Sequence, residues 1–110
     1  MSEAADLDER LRQLLADRDD VLEKRMFGGR CFMVRGHMLG GSVKGRYMFR
    51  VGKEQHAAAL ECPGASPMDF TGKPLSGFVY VDAASCDQPA QLAEWIDLAL
   101  HFNRSLPDRN

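Results

Sequence analysis

The sequence predicts a two-layer α+β domain, with helices packed on one side of a mainly antiparallel sheet. Leucines at helical spacing begin the chain, glycine-separated runs of period two fill its centre, and an amphipathic segment closes it. The predicted order is a helix, three or four hairpin strands, a helix, a strand and a final helix. A length of 110 residues, 45% of them hydrophobic, suits one domain. We therefore expect residues 1–110 to form a single domain, with an ordered core over about 5–106.

The first helix is predicted from about Ala5 to Asp17, where Ser2 or Asp6 can cap its start. Its apolar face consists of four leucines at helical spacing, namely Leu7, Leu11, Leu14 and Leu15. After it, glycine-containing turns separate four runs that end near Phe27, Arg35, Val43 and Val51. Glycine supplies the positive backbone angles of tight turns, so these runs are predicted to be antiparallel hairpin strands.

In the fourth run, aromatic and β-branched residues alternate strictly with arginine and methionine. Its core-facing positions are expected to be Tyr47, Phe49 and Val51, and its other face is expected to carry Arg46 and Arg50. We therefore expect the arginines of the centre to lie on an exposed sheet face. Two interpretations of that face remain open, namely solubility with cross-strand pairing and a surface for a ligand or partner.

The second half is predicted to begin with a helix from Lys53 to Leu60. A loop through residues 69–74 follows, and the next strand covers Phe78–Val81. The closing helix starts at Pro89, ends before Pro107 and presents an apolar face that includes Leu92, Trp95, Ile96 and Ala99. We expect Trp95 to anchor this helix on the sheet.

Charge is divided unevenly along the chain. The segment Arg25–Lys53 holds seven of the fourteen Lys and Arg residues and no acid, whereas the flanking segments carry net charges of −4 and −5. A basic centre is a plausible docking surface for an anionic partner. The overall charge of −2 and a pI near 5.9 are far from the pI above about 9 typical of a nucleic-acid domain. A protein partner is therefore favoured, and DNA binding is expected to be weak or absent.

Known catalytic and metal-binding patterns are missing. The segment 40–44 has Lys44 where a nucleophile elbow needs glycine, and neither Gly52-Lys53 nor Gly72-Lys73 belongs to a phosphate loop. The three histidines are not spaced as metal ligands, so no metal, cofactor or enzymatic activity is predicted. Three widely spaced cysteines fit a reducing compartment, and no membrane span or signal peptide is recognisable. We expect a cytoplasmic protein.

A series of short motifs occurs in a characteristic order. They are Arg25-Met26-Phe27-Gly28-Gly29, Cys31-Phe32-Met33-Val34, Arg46-Tyr47-Met48-Phe49-Arg50-Val51-Gly52, Pro63-Gly64, Met68-Asp69-Phe70-Thr71-Gly72-Lys73-Pro74, Gly77-Phe78-Val79-Tyr80-Val81, Trp95 and Ser105-Leu106-Pro107. Together they resemble the N-terminal domain of the TfoX/Sxy family, over nearly the whole chain from about residue 8.

The resemblance implies a small two-layer fold akin to secretion chaperones and a bacterial origin. Known members include regulators of natural competence that act as transcriptional coactivators alongside the cyclic-AMP receptor protein. Those regulators carry a second, C-terminal domain, for which a chain ending at Asn110 leaves no residues. The family offers no agreed catalytic residues to transfer.

The predicted function is a non-enzymatic regulatory or interaction domain that acts through a protein partner. The residues expected to bind a partner or ligand are Arg25, Arg35, Arg46, Arg50 and Lys73. The alternative is a domain or weak enzyme that binds a small anion in a pocket near Arg25, Arg50 and the Gly72-Lys73 loop. A third possibility is a dimeric domain of structural purpose. Exposed strand edges also lead us to expect a homodimer.

Overall fold

The computed structural model describes residues 3–26, 29–70 and 72–107. They form three α-helices, α1 (Glu3–Leu14), α2 (Gly52–Leu60) and α3 (Pro89–Arg104), and six strands, β1 (Val21–Met26), β2 (Gly29–Val34), β3 (His37–Val43), β4 (Arg46–Arg50), β5 (Ala65–Phe70) and β6 (Lys73–Asp82). A short 3-10 turn, Ala83–Cys86, precedes α3. The predicted α+β class and element order are confirmed.

The strands form one antiparallel sheet in the order β1-β2-β3-β4-β6-β5. Two of its turns contain just two residues, Arg35-Gly36 and Lys44-Gly45, and all four have positive φ values of 56°, 83°, 54° and 80°. This is the type I′ geometry, whose twist matches that of the strands it joins. The glycines therefore define these hairpins as predicted, while Arg35 and Lys44 occupy the less usual left-handed position.

The helices pack on one face of the sheet, called here the first face. Their apolar side chains join strand residues such as Phe32, Phe49 and Val81 in one large buried cluster. Trp95 is 6% exposed and belongs to this cluster, which confirms its predicted anchoring role. A polar contact also joins α1 to the sheet, since the buried Ser42 hydroxyl donates to Asp8 over 2.5 Å.

The opposite face, called here the second face, has a smaller buried cluster built from strand residues. Its members are Cys31, Val43, Met48, Met68 and Tyr80, with Met38, Leu75 and Phe78 packed against them. Met48 is fully buried, although its position between two arginines predicted an exposed face. Met48 is buried because the β5–β6 hairpin brings Met68 into this cluster. Within the hairpin, the Tyr80 hydroxyl donates a hydrogen bond to the Asp69 carbonyl over 3.3 Å.

The β5–β6 hairpin also corrects the sequence prediction. Residues 69–74 were expected to form a loop, but residues 65–70 and 73–82 are paired strands. Pro67 is compatible with this pairing because β5 lies at the edge of the sheet, where a missing backbone donor costs no internal ladder bond. Gly72 takes a φ of +79° between the two strands. Proline and glycine here belong to an edge hairpin rather than to an irregular loop.

Strands β2 and β3 approach each other closely at two glycines. A Cβ built on Gly29 would clash with the carbonyl oxygen of Ser42, and one built on Gly41 would clash with that of Arg30. The register between these strands also shifts between Phe32 and Met33, as in a β-bulge. The centre of the sheet therefore depends on missing side chains as well as on present ones.

The end of α3 is tied to the β2–β3 turn by polar contacts. The Asn103 amide donates to the Val34 carbonyl over 3.0 Å, and the His37 ring nitrogen Nε2 donates to the Pro107 carbonyl over 2.6 Å. His37 is 8% exposed at the start of β3, directly after the Arg35-Gly36 turn. Its buried place follows from β3 pairing, which positions it beside the segment that follows α3.

Candidate functional site

The predicted basic site residues lie on several different parts of the surface. Arg25 is exposed on the edge strand β1, where it pairs in register with Arg30. Arg30 lies within 3.7 Å of Asp8 and 3.6 Å of Glu23 in two ion pairs. Arg25 is separated from Arg50 by the intervening strands β2 and β3. It does not contribute to the pocket that the sequence placed near both residues.

Arg35 has a structural role that the sequence did not indicate. Its guanidinium donates to the carbonyl of Asn103 over 2.8 Å and to that of Leu106 over 2.9 Å. Basic side chains stabilise the free carbonyls at the end of a helix in this way. Arg35 therefore caps α3, and its assignment as a site residue stays a prediction.

Arg46 and Arg50 lie at opposite ends of β4, on the second face. The guanidinium of Arg46 lies 3.7 Å from the centre of the Tyr80 ring. That of Arg50 lies 5.6 Å from the Phe78 ring centre and 5.3 Å from that of Phe102. Both arginines are half-buried, so the expectation of arginines on an exposed face is wrong, and each is held against aromatic side chains by cation–π contact.

Arg50 is the more unusual of the two. Burial lowers the pKa of its guanidinium, although arginine stays protonated at any physiological pH. No carboxylate in the described part of the chain lies within ion-pair distance of it. A half-buried charge without an acidic partner has given up part of its hydration, and a bound anion would restore that stabilisation.

A cavity of about 370 Å³ opens beside this side chain and is called here the Arg50 pocket. Its lining comes from the end of β4, the first turn of α2, the β6 segment around Gly77 and the end of α3, namely Arg50, Val51, Gly52, Lys53, Glu54, Gln55, Ser76, Gly77, Phe78, His101, Phe102 and Ser105. Of the four predicted site residues whose side chains the structure describes, only Arg50 lines it. The backbone of Lys73 starts β6, and its side chain lies outside the described part of the structure.

Apolar side chains reach solvent on the second face. Leu22 of β1 is 61% exposed, and its register neighbours Met33 and Met38 are half-buried. Phe78 is also half-buried. This surface was not predicted from the sequence, although the run Cys31–Val34 contained a usable signal. Four consecutive apolar residues in one strand indicate that both faces of the sheet are covered.

A family model describes most of this architecture. The TfoX N-terminal domain matches residues 13–103, which extend from α1 through all six strands to the end of α3. The chain belongs to the TfoX N-terminal domain family. No curated protein and no solved structure matches it significantly. Membership supports, at most, a regulatory role related to competence.

The described residues of this TfoX N-terminal domain bear on metal binding, membrane crossing and nucleophilic chemistry. Over residues 3–26, 29–70 and 72–107, no three His, Cys, Asp or Glu side chains are grouped to hold a metal ion. None of the helices described is both long and apolar enough to cross a membrane. Ser42 is the serine of the segment 40–44, whose sequence was compared with a nucleophile elbow. It is 2% exposed in β3, and its hydroxyl donates a hydrogen bond to Asp8. The three cysteines are free thiols.

Proposed function

We propose that this TfoX N-terminal domain is a non-enzymatic regulatory module that binds a protein partner through the second face of its sheet. By family resemblance, the partner is a component or regulator of the transcription machinery in the cytoplasm. The observation that carries the proposal is the apolar row of Leu22, Met33 and Met38 on the second face. Leu22 is 61% exposed, and the two methionines are half-buried.

An exposed apolar side chain at a sheet edge is costly unless a partner covers it. Leu22 is more exposed than Leu14, the other large apolar side chain on the described surface, which is 38% exposed. Methionines adapt their shape to a partner because their side chains are unbranched and polarisable. Contiguous apolar surface of this kind is typical of protein interfaces.

Charge indicates the chemistry of the partner. The second face carries the basic side chains of Lys24, Arg46 and Arg50, with Asp82 as the acidic neighbour in register with Arg46. A complementary partner has an apolar surface bordered by acids. Duplex DNA fits less well because it offers no apolar surface to this row. The exposed acids of the helices, such as Glu94 and Asp97, would also repel it at close range.

The test is site-specific photo-crosslinking in the native cell, followed by binding to the purified candidate. A photoreactive residue at position 22 is expected to crosslink one recurrent protein, which a probe at position 14 does not capture. In titration calorimetry with that protein, Leu22→Glu should weaken binding at least about tenfold, since it buries a charge in an apolar contact. Leu14→Glu is the matched control and should leave the affinity unchanged.

Equal capture from both positions would contradict the proposal, as would equal loss of affinity in both variants. Crosslinking of position 22 to a second copy of the chain would assign the second face to self-association instead. Crosslinking to DNA would overturn the preference for a protein partner.

We also propose a homodimer that forms through the edge of β1, since this strand ends the sheet and pairs on one side with β2. In an antiparallel pairing centred on Lys24, each Glu23 faces the Arg25 of the other copy. Light scattering over a wide concentration range should show a dimer, weakened in Arg25→Glu. A monomer at every concentration would remove this proposal.

A further inference from the structure

We propose that the Arg50 pocket binds a small organic carboxylate whose apolar body packs against Phe78 and Phe102. This inference rests on a cavity rather than on the apolar row around Leu22, and Arg50 is a residue that both proposals use. It assigns a ligand-binding site and a ligand class to this domain.

The Arg50 pocket has the size and lining of a small-molecule site. A volume of about 370 Å³ lies within the range of about 300 to 1,000 Å³ that small-molecule sites occupy. The rings of Phe78 and Phe102 provide apolar walls, and Ser76 and Ser105 add polar groups. An apolar cavity with a few polar groups is the usual design of a site for a small organic molecule.

The guanidinium of Arg50 is positioned to bind a carboxylate. Arg50 lines the pocket, is half-buried, and lies against the rings of Phe78 and Phe102 at 5.6 and 5.3 Å. Two aromatic neighbours restrict its orientation, so less conformational entropy is lost when it binds a ligand. Its forked N–H groups match the two oxygens of a carboxylate. A ligand carboxylate would therefore supply the acidic partner that the described residues do not provide.

The net charge of the pocket favours a ligand with a single negative charge. Three ionic side chains line the pocket: Arg50, Lys53 and Glu54. Glu54 offsets one of the two basic groups, which leaves a net charge of about +1. His101 also lines the pocket. A monoanionic carboxylate balances this net charge, whereas a doubly charged phosphate monoester would exceed it and would be repelled by Glu54.

The wall of the pocket behind the Arg50 guanidinium is rigid. The Val51 amide donates to the Gly77 carbonyl over 2.8 Å, and both Gly52 and Gly77 have φ values above +80°. A Cβ on Gly52 would clash with the Phe102 ring. The backbone of α2, β6 and α3 is thus packed at contact distance around the pocket, and a preformed site of this kind binds without a large ordering cost.

The experiment uses the whole chain and two small probes of the same shape, benzoate and neutral benzamide. In titrations followed by ¹H–¹⁵N NMR, benzoate should shift the amide signals of Gly52, Ser76 and Gly77 and should bind at least about tenfold more tightly than benzamide. Arg50→Gln should remove this preference for benzoate. Arg46→Gln is the matched control, because it neutralises the other half-buried arginine of β4 outside the pocket, and should retain the preference.

Three results would overturn the proposal. They are equal affinity for benzoate and benzamide, shifts that map away from the pocket, and an equal loss of benzoate binding in both arginine variants. The dispersion of the NMR spectrum reports whether Arg50→Gln remains folded. If it does not, the wild-type comparison of the two probes decides alone, and Arg50→Lys provides a folded variant that keeps the charge but lacks the guanidinium fork. Tighter binding of phenyl phosphate than of benzoate would overturn the assignment to carboxylates.

Discussion

The indole ring of Trp95 lies nearly parallel to the ring of Phe49, with 5.7 Å between their centres and 9° between their planes. Phe49 also stacks on Tyr47, at 6.0 Å, so the contact continues along β4. Through these rings α3 is joined to a central strand of the sheet. The position of α3 in turn places Phe102 and His101 at the Arg50 pocket. The aromatic contact therefore stabilises both the core and the geometry of the pocket.

Replacement of Trp95 by alanine should destabilise the protein by about 3 to 5 kcal/mol, because it removes a nearly buried indole and leaves a cavity against Phe49. Equilibrium unfolding in urea measures the change. Glu94→Ala, on the exposed side of the same helix, is the control and should change stability by less than about 0.5 kcal/mol. A comparable effect of both substitutions would contradict the anchoring role.

Arg35→Asn should reduce the free energy of unfolding by about 1 to 3 kcal/mol, because it removes two charge-assisted hydrogen bonds to the end of α3. Asparagine tolerates the positive φ of this turn, so the backbone conformation is preserved. Lys44→Asn makes the same change at the other type I′ turn, where the side chain is exposed, and should be neutral. Hydrogen exchange at the last turn of α3 should accelerate only in Arg35→Asn. Equal stability of the two variants would exclude the capping role.

The thiols should differ in reactivity. Burial raises the pKa of both Cys31 and Cys86 from an ordinary value of 9.0 to about 11, whereas Cys62 is half-buried. Because the thiolate is the reactive form, iodoacetamide at pH 8 should alkylate Cys62 first, as mass spectrometry of the digested protein will show. Early alkylation of Cys31 in folded protein would contradict its burial.

The same shifts predict a pH dependence of stability. Between pH 9 and 11 an unfolded thiol loses its proton while the folded Cys31 and Cys86 retain theirs, so the folded state binds more protons. Stability is therefore complete below pH 9 and declines as the pH rises through this window. Cys31→Ala and Cys86→Ala should each reduce the decline.

Duplex DNA should bind weakly and lose most of its affinity between low and physiological salt, because phosphate contacts release counterions. Replacement of Arg46 and Arg50 together by glutamine should weaken this binding and flatten its salt dependence. Fluorescence anisotropy at two salt concentrations measures both effects. Sub-micromolar affinity that survives physiological salt would make DNA the preferred partner.

Local patterns predicted the elements well where neighbouring residues determine the conformation. The turns Arg35-Gly36 and Lys44-Gly45 and the start of α3 at Pro89 all follow from short-range preferences. At Gln88 a capping box closes this helix start, with the Gln88 amide donating to Gln91 over 3.1 Å. Strand β5 was missed because Pro67 and Gly72 disfavour a strand locally, while the edge position that tolerates them is a tertiary property.

The candidate site was less predictable because its contacts are distant in sequence. Arg35 and its acceptors are 68 and 71 residues apart, so no spacing rule could reveal the cap. The pocket unites Arg50, Phe78 and Phe102 from three elements. The alternation of β4 correctly predicted which side chains face the helices. It could not show that Met68 covers Met48 on the second face.

The close approach of β2 and β3 at Gly29 and Gly41 predicts an unusual pattern of mutational tolerance. Substitutions at exposed strand positions outside the proposed interfaces should be accepted, as should many at well-filled core positions where neighbours can adjust. Alanine at either glycine has no such freedom, because the opposing atom is a backbone oxygen of the paired strand. A saturation library should therefore lose function sharply at two residues that have no side chain and do not line the Arg50 pocket.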